Sequence, residues 1–427
     1  MMKINKLLTP LALAALLAAC SSEDGLDTEN IDIGFHLGNS DVEVKLSAGG
    51  RTTRASIENA NANLFDIKGK DKLGIFMLAT HKRGVNATED DIDWTASKSG
   101  AEQWSVWIDN DSAYAEKDVD AGITNITWAK TGQKYYYPIG NWYNYRFYGY
   151  YPRVKTENIE YYTDSICVNF TGLDGTKDVI WGRSLGCDTA QASSEDTKCR
   201  YSAQYFRKAG FSTAYPSLAL DHKMMRLQFY VQGVPDEDAD PRLEYEKANE
   251  MMVDTIEVIN VPTTARLTIA NRNTDMEHDS INGRIYYDWT NNLDSIGILG
   301  KADGTKPDSA FYKAESRINN DDLIPIGQPM LLPVPDSIAN VSPIVASHPE
   351  WAGKYRYQVR VNLKNAVTGQ IFRAERPLDL VVPNKFEHSK TYKVVLKIAG
   401  PKQVYMHATL APWKNAPDDA IKDLIFN

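Results

Sequence analysis

Val42-Glu43-Val44-Lys45-Leu46 alternates apolar and charged residues, the pattern of a strand with one face in a core and the other in water. The same pattern continues outward. Leu73-Gly74-Ile75-Phe76-Met77-Leu78 is an unbroken apolar run that predicts a strand buried on both faces, and Tyr145 to Tyr151 predicts another that stops at Pro152. Ser217 to Val231 is the longest strand candidate. Further candidates are Val253 to Val258, Thr264 to Ala270, Tyr355 to Leu363, Thr391 to Ile398 and Val404 to Leu410. Only Ile57 to Leu64 and Pro417 to Phe426 suit short helices, and Asp303 to Asp322 is expected to be a long polar loop. So many short strands without alternating helices predict an all-β chain built of sandwiches. Pro235-Asp236-Glu237-Asp238-Ala239-Asp240-Pro241 is a proline-bounded acidic run. It marks the expected boundary between one domain over residues 55–235 and a second over 236–427.

The amino terminus carries different information. Lys3 and Lys6 precede an apolar run from Leu7 to Ala19 that closes on Leu17-Ala18-Ala19-Cys20, the order of a lipoprotein signal peptide over residues 1–19. Cys20 is then the lipidated first residue, and the lipid is the expected attachment to the outer membrane. Loss of Lys3 and Lys6 moves the formal charge from -9 to -11, which makes nucleic acid a poor partner. With 43% hydrophobic residues, the 427-residue chain has material for two cores. Beyond Cys20 the only cysteines are Cys167, Cys187 and Cys199. Their spacing forms no zinc signature, and the last two are far enough apart either to close a loop disulfide or to stay free.

The search for chemistry yields weak signals. Gly182-Arg183-Ser184-Leu185-Gly186 matches the spacing of a hydrolase nucleophile elbow, but an elbow must lead into a helix, and Cys187 to Arg200 has no helical periodicity. Asp221 and His222 are neighbours on one predicted strand, so they point to opposite faces and form no dyad with each other. The other histidines are scattered without metal-ligand spacing. No catalytic residue, metal or cofactor is expected. Trp128 to Tyr151 is crowded with aromatics, among them Tyr135, Tyr136, Tyr137, Trp142, Tyr143, Tyr145, Phe147, Tyr148 and Tyr150. Core packing is the first explanation and a saccharide platform the second.

Several segments together resemble the fimbrillins, the family of pilus subunits and tip proteins. These are the lipobox at Cys20, Thr53-Arg54-Ala55, Lys134-Tyr135-Tyr136-Tyr137-Pro138, Tyr145 to Pro152, Leu220-Asp221-His222-Lys223-Met224-Met225-Arg226-Leu227, and Thr409-Leu410-Ala411-Pro412-Trp413. The resemblance implies two transthyretin-like β-sandwich domains, no catalysis, and a surface-anchored or pilus-assembled subunit. It also implies assembly by strand exchange. An arginine-specific protease would cut at Arg54-Ala55, or at Arg51-Thr52, and release residues 20–54 with the first strand carried by Val42, Val44 and Leu46. Ser47-Ala48-Gly49-Gly50 and Thr52-Thr53 read as small, flexible flanks for that cut. The vacated groove would take a strand from another pilus subunit. The candidate donor is the tail with Ile421, Leu424 and Phe426, whose spacing leaves stalk, anchor and tip roles open.

Eight Asp-Ser/Thr triplets, such as Asp111-Ser112-Ala113 and Asp294-Ser295-Ile296, stand where composition alone gives roughly two. They resemble an O-glycosylation acceptor of some Gram-negative anaerobes and equally fit strand starts. Ser21-Ser22-Glu23-Asp24 likewise resembles a surface-export signal. A host protein or glycan is the expected ligand of a pilus subunit of this kind. The alternative function is a monomeric surface lipoprotein that binds glycans, and a hydrolase built on Ser184 is the third.

Overall fold

The computed structural model describes residues 39–50, 67, 72–82, 92–95, 104–118, 123–139, 143–184, 201–208, 215–233, 250–272, 281–289, 291–297, 318, 322–335, 349, 352, 355–374, 376–382, 386–400 and 403–411. Along them run β1 (Asn39–Glu43), β2 (Leu46–Gly50), β3 (Leu73–Lys82), β4 (Val106–Asp118), β5 (Ile123–Trp128), β6 (Tyr136–Pro138), β7 (Tyr143–Tyr151), β8 (Ile159–Tyr161), β9 (Ser165–Phe170) and β10 (Ile180–Ser184). Helix α1 (Ala203–Lys208) follows, then β11 (Ser217–His222), β12 (Met225–Gly233), β13 (Met251–Pro262), β14 (Ala265–Asn271), β15 (Ile285–Tyr287), β16 (Leu293–Gly297) and β17 (Ile324–Leu332). The series ends with β18 (Tyr355–Asn365), β19 (Ile371–Phe372), β20 (Leu378–Val382), β21 (Thr391–Gly400) and β22 (Gln403–Ala411). The chain is all-β, as its alternating and apolar runs require.

Seven strands pair round a closed path in the order β10-β11-β2-β5-β4-β3-β7. Leu73 to Ala79 on β3 is buried at every position, and β7 is buried almost throughout. Those runs are continuous because both faces of these strands are covered. The covering comes partly from the sheet β15-β14-β9-β8, whose Ile166, Val168, Phe170, Leu267 and Ile269 join the same hydrophobic cluster as Phe76, Phe147 and Tyr150. β4 bends at Asn110, which adopts φ 51°, a left-handed conformation that asparagine tolerates better than most residues. Its side chain accepts from the Tyr150 hydroxyl at 2.6 Å and donates to the Val154 carbonyl at 3.1 Å, so the buried amide is satisfied at the bend.

A second cluster lies between the sheet β17-β12-β21-β22 and the sheet formed by β16-β13-β18-β19, with β20 beside β18. Met225, Leu227, Phe229 and Val231 alternate inward on β12, and Ile256, Val258, Val359, Val361 and Leu363 face them from β13 and β18. β12 and β21 run parallel; the other pairings in these two sheets are antiparallel.

The single strand expected over Ser217 to Val231 is corrected. It divides at Lys223-Met224 into β11, a barrel strand, and β12, a strand of the second cluster. Met224 packs in the first cluster and Met225 in the second. The break is held by polar contacts that periodicity does not register: the Lys223 carbonyl accepts from the Tyr287 hydroxyl at 2.8 Å and from the His388 ring at 2.5 Å. α1 is likewise absent from the sequence expectation, whereas the two helices that were expected, with the segment Pro235 to Pro241, lie outside the described residues.

Gly182 shows how closely the barrel strands are drawn together. A Cβ there would stand 2.3 Å from the Ala219 carbonyl oxygen across the β10–β11 pair, while a Cβ on Gly49 of β2 would meet nothing within 4 Å. Gly182→Ala should therefore lower the unfolding free energy by about 1–3 kcal/mol through overpacking, and Gly49→Ala should stay within about 0.5 kcal/mol of wild type. Chemical denaturation of the two variants checks this contrast.

Candidate functional site

The first strand is the candidate site that lies within the described residues. Val42, Val44, Leu46 and Ala48 are 3%, 2%, 6% and 3% exposed, and all four belong to the first hydrophobic cluster. Asp41, just before them, and Lys45, among them, are exposed, and Glu43 is half-buried. The period-two pattern thus runs through β1 and β2 without slipping, although the ladder breaks at Val44-Lys45. Burying one such valine or leucine contributes about 1.5–3 kcal/mol. Three of them supply a sum on the order of the whole stability of an ordinary domain.

The backbone is held as firmly as the side chains. β1 pairs antiparallel with β6, and the Val44 N–H extends that ladder by donating to the Tyr135 carbonyl at 2.8 Å. β2 lies between two partners: antiparallel to β5, with Leu46 opposite Ile126, and parallel to β11, with Ala48 opposite Leu218. The expectation that Ser47-Ala48-Gly49-Gly50 is a flexible flank is corrected on this point. These residues have weak strand propensity, but hydrogen bonding on both sides overrides it. β2 is the one link between β11 and β5, so the path without it is a six-stranded sheet with β5 and β11 as bare edges.

Three exposed contacts tie the strand's outer face. Arg207 on α1 pairs with Asp41, Lys134 lies 3.4 Å from Glu43, and the Lys45 ammonium lies 5.3 Å from the centre of the Tyr215 ring. The Arg207 hydrogen bond holds the Asp41 carboxyl below its usual pKa. A lowered carboxyl contributes stability above its unfolded pKa and loses it as pH falls through the folded value. α1, Arg207 and Tyr215 had no signal in the sequence, because none shows periodicity relative to Asp41 or Lys45.

The remaining sequence candidates divide clearly. Ser184 ends β10, a strand antiparallel to both of its neighbours where a nucleophile elbow needs a parallel sheet, is 2% exposed, and accepts a hydrogen bond from the Phe147 N–H at 3.1 Å. Its hydroxyl is a structural acceptor. The His222 ring pairs with Asp178 on the segment before β10, not with Asp221, whose carboxylate accepts from the Ser389 hydroxyl at 2.6 Å. Both histidine and aspartate are thus absorbed by the junction between the two clusters. Tyr137, Tyr143, Tyr145, Phe147, Tyr148 and Tyr150 are buried core residues; Tyr135 and Tyr136 are half-buried and reach the surface. Asp111 and Asp294 each accept from the next residue's N–H at 2.7 Å, and Asp294 stands near the start of its strand. Cys167 is a buried free thiol, raised in pKa by that burial. Among the described residues no group of three His, Cys, Asp or Glu is placed to hold a metal. Cys20, Arg51, Thr52, Arg54, Ala55, Cys187, Cys199, Ile421, Leu424 and Phe426 lie outside the described residues.

Two outcomes test this account. Leu46→Ala should cost about 2–5 kcal/mol in chemical denaturation of the full chain. In Arg207→Ala the Asp41 pKa, followed by carboxyl NMR titration, should rise toward the ordinary aspartate value; an unchanged pKa would show that the Arg207 pairing does not hold it down.

Comparisons with known proteins bear on the family of the chain. No curated protein matches the chain in sequence. A candidate cell adhesion protein of Bacteroides uniformis ATCC 8492 aligns over 88% of this chain and 100% of its own, at 12% identity and a TM-score of 0.43. Another, from Bacteroides ovatus ATCC 8483, aligns over 90% and 100%, at 12% identity and a TM-score of 0.40. The fimbrial anchor protein Mfa2 of Porphyromonas gingivalis aligns over 86% and 98%, at 8% identity and a TM-score of 0.32. These structural likenesses are weak, and the assignment rests on a family model, described as fimbrillin-like, that matches residues 53–413 and so most of the sequence. The chain belongs to the fimbrillin-like family.

Proposed function

We propose that the chain is a structural and adhesive subunit of a cell-surface pilus, exported as a lipoprotein and assembled by exchange of its first strand. The observation that carries this reading is the position of β2 between β11 and β5. Removal of residues 20–54 by cleavage at Arg54-Ala55, or of residues 20–51 by cleavage at Arg51-Thr52, takes away β1 and β2 together. It leaves two bare backbone edges and the apolar floor that Val42, Val44, Leu46 and Ala48 cover. An open slot of this kind is stabilised by the addition of another strand. The C-terminal tail of a neighbouring subunit, with Ile421, Leu424 and Phe426, is the proposed donor, and the lipid on Cys20 holds the precursor to the outer membrane until cleavage. β2 ends at Gly50, directly before Arg51, so either cut leaves the whole strand on the departing piece. The processed subunit is proposed to have two domains, one on each hydrophobic cluster, the chain passing from the first to the second at Met224-Met225 rather than at residue 235 and returning to the first in β14 and β15.

The test is terminal sequencing and unheated gel electrophoresis of protein recovered from the native cell surface. Wild type should start at Ala55 or Thr52 and run as a ladder of detergent-resistant multimers. An Arg51→Ala, Arg54→Ala double variant should retain acylated Cys20 and run as a monomer. Wild-type protein that keeps residues 20–54 and still polymerises would overturn the reading.

A further inference from the structure

Apart from the first-strand slot, the described surface carries a second built feature. A cleft with space for about 390 Å³ opens between β4 and the β1–β6 ribbon, lined by Asn39, Val106, Trp107, Asp109, Gln133, Lys134, Tyr135 and Tyr136. We infer that this cleft binds a neutral saccharide.

The cleft's walls follow from strand register. Trp107 and Asp109 are alternate residues of β4 and share its outer face ahead of the bend at Asn110. Tyr135 and Tyr136 arrive from the segment that enters β6, and Asn39 faces Pro138 across the β1–β6 pair. The aromatic rings are fixed in place before any ligand arrives. The Trp107 indole N–H donates to the Tyr136 carbonyl at 2.8 Å, and the Tyr135 hydroxyl donates to Asp111 at 2.5 Å. Tyr135 also packs edge-on against Trp128, with ring centres 4.8 Å apart. Asp109 is held by the hydroxyl of Tyr161 on β8. Preorganised rings of this sort lose little conformational entropy on binding.

The chemistry of the lining selects the ligand class. Indole and phenol faces suit the C–H face of a pyranose, while the Asn39 and Gln133 amides and the Asp109 carboxylate suit its hydroxyls. An anionic ligand is disfavoured, because Lys134 already faces Glu43 at 3.4 Å and the Asp109 carboxylate lines the same cleft. An aliphatic ligand would desolvate Asn39, Asp109, Gln133 and Lys134 without giving them partners. Trp107 and Asp109 were not singled out in the sequence, although the alternation Val106-Trp107-Ile108-Asp109 puts them together. The inference is independent of strand exchange, but because Asn39 belongs to β1, the cleft is complete only in chains that keep residues 39–50.

Saturation-transfer NMR on the full chain, with glucose, galactose, N-acetylglucosamine and lactose as probes and N-acetylneuraminic acid as the acidic comparison, tests it. At least one neutral sugar should receive transfer on its ring protons. Asp109→Ala and Gln133→Ala should each weaken that binding roughly tenfold, the loss of a hydrogen bond to a satisfied site, with an unchanged thermal midpoint in Gln133→Ala. Glu116→Gln, farther along β4, should bind as wild type does. Absence of transfer to every neutral sugar, undiminished transfer in the Asp109 and Gln133 variants, or a stronger response to the acidic sugar would each overturn the proposal. Multimer formation on unheated gels is scored separately, so failure here leaves the assembly reading intact.

Discussion

Backbone pairing of β2 on both sides is the constraint on which the first half of the molecule depends. Every N–H and C=O of a buried strand must find a partner, and β2 supplies those partners at once to β5, antiparallel, and to β11, parallel. Its side chains contribute the other half of the argument. Leu46 and Ala48 on β2 continue the buried row begun by Val42 and Val44, and that row lies against the same cluster as Phe76, Tyr148 and Leu218. Hydrogen bonding and apolar burial therefore come and go together: the strand cannot leave with one and spare the other.

The second dependence is the passage between the two clusters. It takes place between adjacent residues, Met224 and Met225, and is surrounded by polar groups that satisfy one another. The Lys223 N–H donates to the Val179 carbonyl at 2.6 Å, its ammonium lies 4.9 Å from the centre of the Trp181 ring, and the Ser389 N–H donates to the Met224 carbonyl at 3.0 Å. The Trp181 indole in turn donates to the Ile269 carbonyl at 2.9 Å, which ties β10 to β14. In a low-dielectric setting such a network is costly to satisfy in part and specific when satisfied in full. Asp221 and His222, which resemble a catalytic pair when read in order, are structural members of it.

Much of this was legible in residue order. The alternation of Val42, Val44 and Leu46 marked the buried face, and the apolar runs at Leu73 and Tyr145 marked strands covered on both sides, because burial acts on each side chain where it stands. Closure of the barrel was not legible. The pairing of Ser47 with Ser217 joins residues far apart in the chain, and no local period encodes a distant partner. The small residues Ser47 to Gly50 read as a loop because propensity is weak beside two hydrogen-bonded neighbours. The break at Lys223 was hidden by its own apolar residues: burial passes from even-numbered positions, Leu218, Leu220 and Met224, to odd-numbered ones, Met225, Leu227, Phe229 and Val231, and the adjacent methionines make the slip read as one uninterrupted strand. The cleft beside Trp107 depends on where β6 and β1 lie over β4, which is again a matter of distant register.

The Met224–Met225 passage also bears on how the molecule carries load. A subunit in a filament is pulled along its length, and a joint with slack lets each half turn and peel separately. Here no spare residue separates the two cores, and Tyr287, His388 and Ser389 clamp the joint from beyond it. Tension entering one half is passed to the other through several bonds loaded side by side. That arrangement suits a stiff link in a chain better than a flexible tether.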